Sequence, residues 1–109
     1  MMPIPRHLLI HTAILQNPGT PDAWQHITYQ NRPLSYVRID PTSKVVRSKD
    51  NTEVQLSSVL LYDCRNSRPR GIHFCVGQRV TWQGNDYTVQ TIEPMYDGKH
   101  LHHWEVGLV

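Results

Sequence analysis

The chain has 109 residues, a formal net charge of +2 and a hydrophobic fraction of 39%. This length supports one domain with a single modest core and excludes two independent cores. The weak positive charge does not by itself indicate a nucleic-acid-binding protein, because that class needs a concentrated basic face. Eight prolines and six glycines punctuate the chain, which favours short strands joined by turns over long helices.

No segment is long and apolar enough for a transmembrane helix, and we expect no membrane partner. The apolar N-terminal run is interrupted by Arg6, His7 and His11 and lacks the small-residue cleavage site of a signal peptide. We therefore expect a soluble protein that is present in the cytoplasm after synthesis.

The first third of the chain carries weak strand signals. Residues 8–16 are apolar and fit either a strand or a short helix, and the early Pro18 favours the strand. Residues 17–22 form a surface loop rich in proline and glycine. Residues 24–30 alternate poorly, so they are interpreted as an exposed loop or an edge strand.

A clearer strand covers residues 34–40, in which Leu34, Tyr36, Arg38 and Asp40 alternate with Ser35, Val37 and Ile39. Pro41 ends it, because proline cannot donate a ladder hydrogen bond.

Residues 42–53 have only Val45 and Val46 as apolar anchors and cannot bury enough surface to order firmly. We expect a mobile, hairpin-like excursion with a turn at residues 49–52. Long loops without a core are often functional, and a solvated loop without a role is an equally good interpretation.

Residues 54–64 are apolar on both faces of a predicted strand. One face holds Leu56, Ser58, Leu60 and Tyr62, and the other holds Ser57, Val59 and Leu61. This pattern predicts a central strand, or one that a neighbouring subunit covers; a short helix fits the first half as well. The following turn holds Arg65, Arg68 and Arg70, which suit a phosphate or carboxylate partner, although a solvated basic face is the commoner explanation.

The strongest local signal is a β-hairpin over residues 78–92. Val80 and Trp82 alternate with polar residues, residues 84–86 supply the turn, and residues 87–89 restart the alternation. Trp82, Tyr87 and Val89 are expected in the core. A second turn at Asp97-Gly98 leads to a last strand over residues 101–109, with His102, Trp104, Val106 and Leu108 on one face. The sequence therefore predicts an all-β fold with at most a short helix.

Metal and catalytic chemistry are poorly supported by the residue pattern. His100, His102 and His103 cluster, but His102 and His103 should point to opposite faces of a strand, and no metal-binding spacing is present. Cys64 and Cys75 are expected as small buried hydrophobes rather than as a disulfide. No nucleophile elbow or phosphate-binding loop occurs, so we expect no enzyme activity, no metal and no cofactor.

A series of short motifs supplies a family resemblance. The motifs are Arg38–Pro41, Ser43–Asp50, Glu53–Leu56, Leu61–Ser67, Tyr87–Val89, Glu93–Pro94, Tyr96–Gly98 and Leu101–Val106. In this order they resemble minor capsid proteins of tailed phages and prophages. The match runs from about Tyr36 onward and extends more loosely to His11–Ala13. That family is similar to the head-closure, or stopper, proteins of long-tailed phages.

The resemblance implies a small antiparallel β-barrel spanning residues 1–109, with residues 42–53 as a mobile loop between two strands. It implies a ring, by resemblance a dodecamer, with the portal and adaptor above and a tail-terminator or tail protein below. Genomic DNA would pass through the channel without sequence specificity, and the protein would occupy the head–tail neck after assembly in the host cytoplasm. The channel loop would include Lys44, Val45, Val46, Arg47, Ser48, Lys49 and Asp50. Leu56, Val59, Leu61, Arg65, Arg68 and Arg70 would contact a subunit or the adaptor.

The competing hypothesis is a monomeric small barrel that binds protein or nucleic acid. Trp82, Tyr87 and Trp104 could stack on bases, but only Arg79 accompanies them on their strands. Core packing explains these aromatic side chains better. Co-sedimentation with assembled heads would separate this hypothesis from a connector protein.

Overall fold

The computed structural model describes residues 2–18, 23–24, 29–47 and 50–109. Its strands are β1 (His11–Pro18), β2 (Tyr29–Pro41), β3 (Val45–Arg47), β4 (Glu53–Gln55), β5 (Ser58–Asp63), β6 (Arg79–Trp82), β7 (Asn85–Asp97) and β8 (His100–Leu108), and a single 3-10 turn, Arg6–Leu8, precedes them. The predicted loop at 17–22 and the weak alternation at 24–30 fall mainly on residues 19–22 and 25–28, outside the described residues.

Six of the strands close into an antiparallel barrel in the order β1-β2-β5-β8-β7-β6, and β3 pairs with β4 in a separate two-stranded sheet. This arrangement confirms the predicted all-β fold, a small antiparallel barrel with at most a short helix. Closure leaves no barrel strand as an unpaired edge, which removes the usual site of edge-to-edge aggregation. Among the described residues, none lies in a helix that is long and apolar enough to cross a membrane.

The barrel interior holds one apolar core to which the barrel strands and the segment before β6 contribute. Its buried members are Ala13, Leu15, Leu34, Val37, Ile39, Leu60, Tyr62, Ile72, Phe74, Val80, Val89, Val106 and Leu108. Of the predicted core residues of the hairpin, Val89 is fully buried, whereas Trp82 and Tyr87 are half-buried and pack against the edge of the core. Removing this apolar surface from water is the main force that closes the barrel.

The β6–β7 hairpin is present, but its turn lies one residue earlier than predicted. Trp82 pairs with Asn85, so Gln83 and Gly84 form a two-residue turn with φ angles of 50° and 77°. Two consecutive positive φ values give the turn type whose twist matches that of the flanking strands. Asn85 therefore already belongs to β7. The second predicted turn, after Asp97, is confirmed.

A β-bulge in β2 breaks the predicted alternation. His11 pairs with Val37 and Ala13 with Leu34, which leaves one extra residue in β2, and Tyr36 has a φ of 56°. A bulge turns the following side chains over, so Leu34 and Val37 both point into the core. The unbroken alternation predicted for residues 34–40 is therefore wrong at Tyr36, while Pro41 ends the strand as predicted.

Strand β5 pairs with β2 on one side and with β8 on the other, which confirms the prediction of a central strand and excludes the short helix. Ser58, Leu60 and Tyr62, which were predicted to share one face of this strand, are all buried and face inward. The expectation of buried cysteines holds only in part, because Cys64 is half-buried and Cys75 is exposed.

Candidate functional site

The excursion predicted between two strands is the β3–β4 hairpin, which leaves the barrel after β2 and returns at β5. Val46 pairs with Val54 across it, and neither strand pairs with a barrel strand. Its base is closed by hydrogen bonds from Thr42 N to Ser57 O (3.0 Å) and from Leu56 N to Lys44 O (2.9 Å). The hairpin-like interpretation is thus confirmed. Two of the predicted channel residues, Ser48 and Lys49, lie outside the described residues.

The tip of the hairpin carries the predicted turn chemistry. Asp50 Oδ1 accepts a hydrogen bond from Thr52 N at 3.2 Å, and Asn51 has a φ of 66°. A short polar side chain that bonds the backbone two residues later is the usual way in which aspartate stabilises a turn. Val45, by contrast, is an apolar residue that remains 55% exposed.

Two cations of the hairpin, Lys44 and Arg47, lie next to carboxylates of the same chain. Lys44 Nζ is 3.7 Å from Glu93 Oε1, and Arg47 Nη2 is 3.6 Å from Glu53 Oε1. Arg47 also donates to the carbonyl and side-chain oxygens of Asn51, both at 3.2 Å. All these groups are exposed, and exposed ion pairs contribute no more than about 1 kcal/mol. Such pairs can exchange for contacts with another anion at little cost.

A leucine outside the barrel fixes the base of the hairpin. Leu56 is 3% exposed, yet it packs on the outer surface of β8 at Gly107 rather than in the core. A Cβ at Gly107 would lie 2.8 Å from Leu56 Cδ1 and would also overlap Thr91 Oγ1. Glycine at this position therefore lets the leucine approach the backbone. The prediction that Leu56 shares the face of Leu60 is wrong, because the chain changes direction between β4 and β5.

Leu56 and the outer side chains of the sheet form a groove beside the hairpin, which we call the outer groove. It is lined by Leu56, Val59 and Thr91 together with Glu93 and Glu105. Val59 and Leu61, which is the next residue on the same side of β5, are both half-buried on its outer face. Of the predicted interface residues, Val59 and Leu61 thus offer partly accessible apolar surface, whereas the side chain of Leu56 is already covered within one chain.

The three arginines of the predicted interface lie on residues 64–71, which we call the arginine loop. The loop is organised by Asp63, whose carboxylate is completely buried. Asp63 Oδ2 accepts hydrogen bonds from Arg65 N (3.0 Å) and Asn66 N (2.8 Å), and Asp63 Oδ1 accepts one from Ile4 N (3.1 Å). Backbone amides thus supply the hydrogen bonds that a buried carboxylate requires.

The bulge in β2 fixes the other end of the arginine loop. Ser35 and Arg68 exchange two backbone hydrogen bonds of 2.8 and 2.9 Å. The Ser67 hydroxyl donates to the carbonyl of Tyr36 and accepts from Asp63 N at 2.8 Å. The irregular strand and the loop therefore stabilise each other.

The structure adds a fourth arginine, Arg32 of β2, to this basic surface. Burial raises the pKa of the Tyr62 hydroxyl, and the charges of Arg68, Arg32 and Arg70 oppose that rise. Tyr62 donates its hydroxyl hydrogen to the carbonyl of Pro69. Arg32, although distant from the others in sequence, thus acts on the same hydroxyl as Arg68 and Arg70.

His102 and His103 lie side by side rather than on opposite faces, which corrects the prediction. Met95 pairs with His103 and Tyr96 with Leu101, so His102 is the extra residue of a bulge. The two Nδ1 atoms are 2.7 Å apart, and His102 Nε2 lies 2.7 Å from the carbonyl of Met2. Within the described part of the chain, no group of three potential ligands is placed to hold a metal ion.

We expect the stability of the protein to fall at mildly acidic pH because of His103. Burial lowers the pKa of His103; Glu105 and Asp63 oppose this effect, and His102 reinforces it. The unfolded chain then binds more protons than the folded chain between the lowered pKa and about 6.5. The contribution of His103 to stability is complete above a pH of about 6.5. It is lost as the pH falls through the lowered pKa that His103 has in the folded chain.

Urea unfolding at a series of pH values between about 5 and 8 measures this effect. The His103→Gln variant should show a flatter dependence of the free energy of unfolding on pH. An unchanged slope in that variant would assign the effect to another group. His73→Gln, at an exposed position, is the matched control and should keep the wild-type slope.

Comparison with known proteins assigns the family. A family model described as "Minor capsid protein" matches residues 5–108, nearly the whole chain. The chain belongs to the minor capsid protein family. This confirms the family resemblance drawn from the ordered motifs and indicates a structural component of a virus particle.

Two further comparisons give little more. A search of curated proteins found no match. Among solved structures, the protein XkdH of the phage-like element PBSX from Bacillus subtilis is similar, with 14% sequence identity, 91% of each chain covered and a TM-score of 0.47.

Sequence reasoning missed several residues of these surfaces. Arg32 and the pair Glu93 and Glu105 have no local signature, because their partners come from distant segments. Asp63 has a local part, the turn in which it accepts from Arg65 N and Asn66 N, and a distant part, the amide of Ile4. Gly107 did have a signal: an isolated glycine inside a strand indicates a bulge or a close approach of another segment.

Proposed function

We propose that this protein is a head-closure component of the phage head–tail connector. In this role it retains the DNA in the filled head and provides the surface on which the tail docks. The family supports a structural virion component. The observation that carries the finer proposal is the β3–β4 hairpin, which forms its own sheet outside a closed barrel.

The hairpin suits a wall or gate of a DNA channel. Arg47 is exposed, and its contacts with the described residues are weak surface contacts, so its guanidinium can turn to a phosphate. Lys44 is similarly placed at the base of the hairpin, and Val45, Val46, Ser48, Lys49 and Asp50 complete the proposed channel segment. Phosphate contacts carry no sequence information, which suits a protein that must pass any part of a genome.

The barrel supplies the frame for a ring of subunits, which we propose sits between the portal–adaptor complex and a tail-terminator or tail protein. The half-buried Val59 and Leu61 and the exposed Arg65 and Arg70 belong to the proposed contact surfaces. Leu56 contributes indirectly by holding the hairpin against β8. Assembly in the host cytoplasm precedes incorporation into the neck of the virion, and this role requires no cofactor and no catalysis.

Deletion of residues 46–51 tests the gating role. The deletion removes the tip and keeps Lys44 and Leu56, so the barrel should fold normally. In phage complemented with this variant, we expect filled heads that lose DNA or fail to acquire tails. Electron microscopy of the particles, protection of packaged DNA from nuclease and infectious titre measure the outcome.

The matched control is a substitution in the other exposed turn, Lys99→Ala between β7 and β8, which should leave titre and DNA retention unchanged. Normal infectious particles from the deletion would overturn the gating role. Labelled protein found at a site other than the neck, or a monomer that fails to co-sediment with heads, would favour the monomeric binding module instead.

A further inference from the structure

The outer groove has an unusual charge arrangement at its floor. Glu93 and Glu105 are directly paired across β7 and β8, so two carboxylates project side by side from the same face. Like charges in this position repel and destabilise a sheet. Lys44 reaches Glu93 at 3.7 Å, whereas in the described part of the chain no salt bridge reaches Glu105. The groove therefore carries excess negative charge, which a cation from another molecule would neutralise.

The arginine loop has the opposite imbalance. The acid at its start, Asp63, is buried and occupied by backbone amides. Arg65 and Arg70 are exposed, and among the described residues no carboxylate forms a salt bridge with either side chain. Arg68 is held in place by its own hydrogen bonds to the carbonyls of Arg65 and Ser67, at 2.8 and 3.0 Å. The loop thus presents two exposed guanidinium groups that form no salt bridge among the described residues.

The outer groove lies beside β5, where Gly107 pairs with Val59 and Glu105 with Leu61, and the arginine loop lies beyond the end of the strand. The hairpin and Leu56 come directly before the first residue of β5, Ser58, and the arginine loop follows its last residue, Asp63. No salt bridge joins the groove and the loop within the described part of one chain. Their complementary charges can therefore be satisfied between two copies.

We propose that the arginine loop of one copy docks in the outer groove of the next copy. Arg65 and Arg70 neutralise Glu105 and Glu93, and Val59 at the groove supplies the apolar part of the contact. Because each copy uses two different surfaces, the contact is head-to-tail and extends to a closed ring when the rotation permits. This identifies the subunit contact of the proposed ring and in that respect rests on the proposed function.

Charge reversal on each surface tests the contact. Arg65→Glu with Arg70→Glu makes the loop negative, and Glu93→Gln with Glu105→Lys leaves the groove positive through the new charge and Lys44. Each variant alone should self-associate at least about tenfold more weakly than wild type, because like charges then face each other. Sedimentation velocity and chemical cross-linking of the purified chains at low salt measure the association.

Recombination of the variants is the decisive measurement. An equal mixture of the two reversed chains restores opposite charges at both kinds of contact, and so does one chain that carries all four substitutions. Both samples should regain the wild-type association. Lys99→Glu and Asp86→Lys change charge elsewhere and serve as matched controls, and thermal unfolding verifies that every variant is folded.

Three results would overturn the proposed contact. The first is a wild-type chain that stays monomeric in solution and on heads. The second is a charge-reversed variant that self-associates as tightly as wild type. The third is an equal mixture of the two charge-reversed variants that fails to regain the wild-type association. The proposed function is tested separately by the position of the protein in the particle. Restored association in a protein that is absent from the neck would support the contact and reject the connector role.

Discussion

Asp63→Ala should lower the free energy of unfolding by roughly 3–5 kcal/mol, a large part of the stability of a small domain. The carboxylate is fully buried and accepts hydrogen bonds from the amides of Ile4, Arg65 and Asn66. Alanine leaves these amides without their acceptor, and bonds to charged groups are among the strongest in proteins. Urea unfolding of the two chains measures the difference.

Two further variants separate the hydrogen bonds from simple loss of charge. Asp63→Asn keeps one acceptor oxygen but turns an amino group toward one set of donors, so about half of the loss is expected. Asp86→Ala removes an exposed carboxylate that accepts a hydrogen bond from Thr81 Oγ1 and should cost less than about 0.5 kcal/mol. A loss below about 1 kcal/mol in Asp63→Ala would contradict the role of Asp63 in the loop.

Hydrogen exchange should localise the damage. The amides of Arg65 and Asn66 are expected to exchange faster in the alanine variant, because their acceptor is gone. The arginine loop would then lose its fixed shape, and self-association should weaken with it. Unchanged protection of both amides would show that water or another group replaces the carboxylate.

Gly107→Val should destabilise the protein by roughly 2–4 kcal/mol, although valine is normally favourable in a strand. The new side chain must occupy the space taken by Leu56, since even a Cβ would lie 2.8 Å from Leu56 Cδ1. Expelling Leu56 exposes an apolar side chain that is now covered and releases the base of the hairpin. Thr88→Val, at an exposed position of β7, is the control and should be nearly neutral.

A double-mutant cycle makes this prediction specific. Leu56→Ala alone should cost roughly 2–3 kcal/mol. Combined with Gly107→Val, it removes the overlap with Leu56 and leaves the overlap with Thr91 Oγ1, so the double variant should be more stable than the sum of the single losses predicts. Additive losses would show that Leu56 and Gly107 do not share this contact. In the phage assay, Gly107→Val should also impair DNA retention, since the hairpin is then no longer fixed to the barrel.

Local patterns in the sequence determined the class of fold. The alternation around Val80 and the apolar residues of β5 reflect a two-residue period that survives in the folded chain. The turn after Asp97 follows from its Asp-Gly pair. The scarcity of apolar residues between Thr42 and Glu53, where only Val45 and Val46 occur, likewise predicted an excursion outside the core. These features could be predicted because they depend on neighbours along the chain.

The tertiary structure decided where the irregularities lie. The bulges at Tyr36 and His102 have no local signature, because an extra residue is tolerated only where the opposite strand and the core accept it. The first bulge brings Ser35 to Arg68, and the second places two histidine rings together. Both were mispredicted for the same reason: strict alternation assumes an unbroken ladder.

By itself, the sequence determined an all-β chain, its strongest hairpin, its excursion at residues 42–53 and its membership of a capsid family. Only the tertiary structure decided that Leu56 lies outside the barrel on Gly107 and that Glu93 faces Glu105. The physical reason is sequence separation. Contacts between residues far apart in the chain depend on the register and closure of the barrel, and these follow from the fit of the whole core rather than from any one segment.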